Sequence, residues 1–157
     1  MPARSRALLV ALALLALGAA IWGIERAIVT EPEAVRAAFA ELVRAVGEEE
    51  RGPIEAGLFD PFEYQGPAPI RGGDREEVFV GLEEYWRLVD DTKFSYPTPE
   101  VKLAGGTASL TASGLLRFDF GGGLVAHRMT MVVTFGKVDG RWIARSTDIV
   151  ELQRGLF

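Results

Sequence analysis

The sequence predicts an α+β domain behind a single membrane-spanning segment. Three observations carry this. An uncharged apolar run occupies Ala7–Ile24. Two stretches between Glu31 and Val89 place apolar residues at helical spacing. From Lys93 onward the apolar period falls to two, and glycine pairs and triplets interrupt it. Helices followed by consecutive strands are the pattern of a sheet covered on one face by helices.

The first element is the apolar run. Its 18 residues would span roughly 27 Å as a helix, close to the ~30 Å hydrocarbon core of a bilayer. Arg4 and Arg6 precede it, Glu25 follows it and Trp22 sits near its end. This asymmetry keeps the N-terminus inside and sends the rest across a bacterial cytoplasmic membrane. Two readings stand. One is an uncleaved anchor over residues 1–24 with a linker over 25–30. The other is a signal peptide cut near Gly18-Ala19-Ala20, releasing a periplasmic or secreted protein. The residues favour the anchor, because cleavage would leave Ile21-Trp22-Gly23-Ile24 at or near a new terminus. With so short a linker, residues 31–157 would be held close to the bilayer.

The chain has no cysteine, which excludes a lipoprotein anchor, disulfides and thiolate metal sites. Of its 17 basic residues, Arg4 and Arg6 precede the run, so 15 remain against 22 acids, a formal charge of −7. An acidic domain is a poor partner for nucleic acid. One histidine offers no transition-metal site. Gly121-Gly122-Gly123 joins two strands and opens no helix, so it is not a phosphate loop. No Gly-x-Ser-x-Gly is present. No cofactor is expected.

Thr30-Glu31-Pro32-Glu33 has the form of a capping box. The helix after it carries Val35, Ala38, Phe39, Leu42, Val43 and Val46 on one stripe and stops at Gly47. Pro53–Phe59 reads as a short helix, and Phe59–Tyr64 as an extended segment ended by Gly66-Pro67-Ala68-Pro69. Asp74, with Glu77 three residues on, caps a helix with Val78, Phe79, Leu82, Trp86 and Val89 on its stripe.

Four strands follow. The first, about Phe94–Leu103, is irregular because Pro97 and Pro99 interrupt it. Gly105-Gly106 turns into Thr107–Phe120, and Gly121–Gly123 turns into Leu124–Val138. Asp139-Gly140 is a type I′ hairpin signal leading to Arg141–Leu152. Pairing Val138 with Arg141 sets Phe135 opposite Ala144, Val133 opposite Ser146, Met131 opposite Asp148, Met129 opposite Val150 and His127 opposite Leu152. Opposed residues share a face. The core face then carries His127, Met129, Met131, Ser146 and Asp148, and a bulge would invert the assignment beyond it.

The ordered segments Leu58–Tyr64, Ile70–Glu77, Tyr85-Trp86 and Lys137–Trp142 give the chain a resemblance to the nuclear transport factor 2-like superfamily, SnoaL-like group, over about Glu31–Leu152. The resemblance implies a cone, with a curved antiparallel sheet wrapped around helices, often enclosing an apolar pocket and often dimeric. It also implies two kinds of function. Enzymes of the ketosteroid isomerase or dehydratase kind use a pocket carboxylate or histidine with tyrosine donors. Other members bind ligands or partners, and anchored domains of this fold occur in secretion-assembly factors.

The candidate chemistry is therefore Asp148 as base, raised by desolvation, with Tyr64 or His127 assisting and Asp60 as a turn residue. Asp148 and His127 stand roughly 13 Å apart along the strands and form no dyad. Phe39, Tyr85, Trp86, Met129, Met131 and Ser146 are expected to line the pocket. Lacking a catalytic pair, the sequence favours a non-catalytic domain that binds a small apolar ligand or a membrane-protein partner, and the resemblance adds a homodimer. The alternative is a lyase or isomerase acting on a hydrophobic substrate.

Overall fold

A computed structural model of the protein describes residues 29–154. The first helix, α1 (Glu31–Gly47), buries Val35, Phe39 and Ala45. Leu42, Val43 and Val46 pack beside them, as the stripe requires. A Cβ on Gly47 would stand 2.9 Å from the Thr92 carbonyl, so only glycine fits where the helix ends. Helix α2 (Arg51–Gly57) buries Ile54 and runs directly into strand β1 (Leu58–Gln65).

Helix α3 (Arg75–Leu88) opens with the expected capping box. The Glu77 amide donates to the Asp74 carboxylate at 3.0 Å, and the Asp74 amide donates to Glu77 Oε2 at 3.0 Å. Val78, Phe79 and Leu82 form its buried face. The indole of Trp86 donates to the Val46 carbonyl at 2.9 Å, tying α3 to the last turn of α1.

The strand expected over Phe94–Leu103 is two strands, β2 (Asp90–Ser95) and β3 (Glu100–Ala104). Pro97 and Pro99 lie between them, where no ladder N–H is needed. Both pair with β4 (Thr107–Phe120), which pairs with β5 (Gly123–Val138), which pairs with β6 (Arg141–Arg154). The expected sheet was antiparallel throughout; the observed sheet is mixed. Strand β1 lies parallel to β6, with Tyr64 opposite Thr147. A hairpin turn announces its partner in sequence, but the return of β1 to β6 from over 70 residues away has no local signal.

The register of β5 and β6 is the second correction. Val138 pairs with Arg141 and Phe135 with Ala144, but Thr134 then pairs with Ser146. Arg145 is left over as a bulge. A second bulge leaves Val150 over, between the Met131–Ile149 and Thr130–Glu151 pairs. Between Arg145 and Val150 every side chain therefore changes face relative to the regular hairpin, and beyond Val150 the original faces return. Thr147 lies opposite Val133, Ile149 opposite Met131, Leu152 opposite Met129 and Arg154 opposite His127. Ser146 and Asp148 turn to the outer face, Asp148 being paired with Val132 and Gln65.

The bulge is held by what surrounds it. The Arg145 guanidinium lies 4.5 Å from the Phe59 ring centroid. It also covers Gly136, where a Cβ would collide with it. Between helices and sheet, Val35, Phe39, Ile54, Leu110, Phe135 and Ala144 are almost wholly buried. Among the described residues no helix is long and apolar enough to cross a membrane. The run Ala7–Ile24, with the linker after it, falls outside those residues but for Val29 and Thr30.

Candidate functional site

One end of the space between helices and sheet is filled; the rest is an open cavity of about 810 Å³. Helix α1 contributes Phe39, Leu42, Val43 and Val46 to its wall, and α3 contributes Val78, Leu82, Tyr85 and Leu88. Strand β1 adds Leu58, Phe62 and Tyr64. The sheet supplies alternate residues of each long strand: Leu116, Phe118 and Phe120 from β4, Val125 to Val133 from β5, and Ala144, Thr147, Ile149, Leu152 and Arg154 from β6. The two bulges produce the last set: the first, at Arg145, turns Thr147 and Ile149 inward, and the second, at Val150, returns the inner face to Leu152 and Arg154. Among the described residues no carboxylate lines the cavity.

The polar side chains in the wall are Tyr64, Tyr85, Thr92, His127, Thr147 and Arg154. They fall into two groups. Tyr64, Tyr85, Thr92 and Thr147 gather where β1 meets β6 and α3 meets β2. The Tyr64 hydroxyl donates to the Pro67 carbonyl at 3.3 Å, and the Tyr85 hydroxyl shares a 2.9 Å hydrogen bond with Thr92 Oγ1. Burial, and then the negative charge that an ionised Tyr85 would place nearby, pushes the Tyr64 phenol up to about 12. Burial also raises Tyr85, against the opposing pull of its Thr92 bond. Both phenols are therefore neutral donors at physiological pH.

The second group is His127 and Arg154, directly opposed on β5 and β6. The His127 ring lies 5.6 Å from Phe118, and its Nδ1 is buried with no hydrogen-bond partner among the described residues. Arg154 is exposed. Along β5, His127 is six residues from Val133, the partner of Thr147. That path is roughly 20 Å at 3.4 Å per residue.

Of the residues expected from sequence, the cavity wall holds Phe39, Tyr64, Tyr85, His127, Met129 and Met131. It does not hold Asp148, Ser146 or Trp86. The bulge at Arg145 turns the first two away, and Trp86 instead packs and bonds toward Val46. Asp60 is an exposed residue of β1 and lies outside the wall. Reading the sequence missed Thr92, Thr147 and Arg154. Only the strand-end position of Arg154 hinted at its place.

The six-stranded mixed sheet folded around three helices, with a cavity inside the curve, has clear counterparts among solved structures. A protein from Cytophaga hutchinsonii described as nuclear transport factor 2-like superposes with a TM-score of 0.64 at 9% identity, over 77% of this chain and 98% of that one. The fold is the nuclear transport factor 2-like fold. A type 2 hexachlorocyclohexane dehydrochlorinase shares it, with a TM-score of 0.67 at 11% identity over 78% and 87% of the two chains. So does a proposed dehydratase of the nuclear transport factor 2-like family from Streptomyces avermitilis. Its TM-score is 0.66 at 17% identity, over 80% of this chain and 97% of that one. No family model and no curated protein matches the sequence. In this nuclear transport factor 2-like domain the cone is lined by apolar side chains, and its open space is the candidate site.

Proposed function

We propose that this domain binds a small, largely apolar molecule inside its cone without transforming it. The observation that carries the reading is the cavity itself: about 810 Å³, walled mainly by aliphatic and aromatic side chains, with no carboxylate among the described residues. Such a volume lies within the usual range of small-molecule sites. At ~30 Å³ per water-sized unit it would take on the order of 27 such units. A ligand would gain about 0.8 kcal/mol per buried methylene. The uncharged run Ala7–Ile24 and the basic residues before it support a tether on the extracytoplasmic face of a membrane, where apolar molecules are concentrated.

A lyase or isomerase reading draws on the dehydrochlorinase and the proposed dehydratase that share the fold. Here it would rest on His127 as base with Tyr64 or Tyr85 as donor. Asp148 is no longer a candidate, since it faces away from the cavity. No described carboxylate lines the wall to orient His127 or to serve as a base, which favours binding over such a concerted set.

The test is titration of the full-length chain, in phosphatidylcholine nanodiscs, with the neutral fluorescent probe N-phenylnaphthylamine; empty nanodiscs serve as blank. Saturable enhancement is expected, and Met131→Trp, which fills the cavity, should abolish it. Absence of a saturable signal, or an unchanged signal in M131W, overturns the reading. Alkaline extraction of native membranes, with N-terminal sequencing of the recovered chain, tests the tether. A chain that is released, or that begins near Ala19 or Ile21, rules it out.

A further inference from the structure

The cavity is walled mainly by apolar side chains, and the guanidinium among its described lining residues, that of Arg154, stands with His127 at one end. Arg154 and His127 are opposed on neighbouring strands, which puts their Cβ atoms about 4.5–5.5 Å apart. Three apolar residues that share the wall with them are well exposed: Phe120 (55%), Leu88 (49%) and Leu152 (41%). Phe120 and Leu152 lie at the same end of the sheet as the basic pair, since Phe120 closes β4 and Leu152 is two residues before Arg154. The mouth of the cavity is therefore an apolar rim with a guanidinium on it and an imidazole just inside.

We infer that the ligand is a single-chain amphiphile with a terminal anion, its apolar chain in the cone and its anionic head held by Arg154 and His127 at the mouth. This rests on the binding reading above and names its ligand class. Three observations favour an anion. The described structure records no ion pair for Arg154, although several other arginines are engaged by glutamates. His127 Nδ1 lacks a partner, and a buried imidazole nitrogen without one is a site that a head group can satisfy. Among the described residues no acid lines the wall to repel it. This basic spot stands out in an exported part whose formal charge is −7. At ~30 Å³ per carbon a twelve-carbon chain takes roughly 360 Å³, which fits within the cavity of about 810 Å³. A guanidinium fits a carboxylate or phosphate head through paired N–H donors.

The experiment is competition against bound N-phenylnaphthylamine in the same nanodisc-held chain, with dodecanoate, dodecyl phosphate, dodecanol and dodecylammonium. At least one anion should compete about tenfold or more better than dodecanol, and the ammonium should be weakest. The two anions separate a carboxylate from a phosphate source. Arg154→Gln should weaken the better anion about tenfold more than it weakens dodecanol, and Arg154→Lys should restore part of the difference. Equal competition by anions and alcohol overturns the inference while leaving the pocket reading intact, as does equal weakening of both by R154Q. Failure of the probe and of every amphiphile to bind overturns the pocket reading, and this inference with it.

Discussion

Arg145 folds across Gly136 and stacks on Phe59, so the residue left over in the β6 ladder is clamped from both sides. Thr147 and Ile149 face the cavity because of this bulge. Gly136→Ala would push aside only the end of a flexible side chain. The expected cost is about 0.5–1 kcal/mol, the scale of one cation–π contact. The effect should be non-additive with Arg145→Ala in a double-mutant cycle of urea unfolding. Gly114→Ala is the contrasting case, because its Cβ would strike the Ser95 carbonyl, which is backbone and cannot move aside. A loss of about 1–3 kcal/mol is expected there, as for an overpacked site.

The face assignment beyond the bulge has its own test. Asp148→Asn changes an outward side chain and should leave probe affinity unchanged. Ile149→Asp puts a charge into the apolar wall and should abolish probe binding, because an unpaired buried charge is costly. The reverse pattern, measured with the neutral probe, would restore the regular hairpin register.

Alkaline pH probes the tyrosine group. The folded Tyr64 phenol titrates at about 12, against an ordinary value of 10.0. The folded state therefore keeps a proton that the unfolded state has already lost. Tyr64 contributes stability that is fully present below pH ~10 and is lost as pH rises toward 12. Urea-unfolding free energies measured across that window should fall with pH, and Tyr64→Phe should flatten the fall.

The capping box at α3 makes a plainer prediction. Asp74→Ala removes the acceptor of the Glu77 amide and should cost about 1 kcal/mol in urea unfolding. Asp74→Asn, which keeps a side-chain acceptor, should recover most of it. Equal losses in both variants would mean that the cap contributes little.

Local pattern made much of the fold legible. The stripe through Val35, Phe39, Leu42 and Val46, the Asp74–Glu77 box and the Asp139-Gly140 turn each act within a few residues, and each forms the element that it encodes. The cavity wall from Phe39, Tyr85, Met129 and Met131 followed from the same periodicities, because a regular stripe or strand face keeps its direction.

What the sequence by itself determined is thus the described helices, the three long strands, their order and the faces of those that run without interruption. Tertiary structure alone decided that β1 returns parallel to β6, that Arg145 and Val150 drop out of the ladder, and that Thr147 and Ile149 face the cavity in place of Ser146 and Asp148. The physical reason is the period of two. One extra residue exchanges the two faces of everything after it. The contacts that hold that residue out, Gly136 and Phe59, come from β5 and from a strand more than 80 residues earlier.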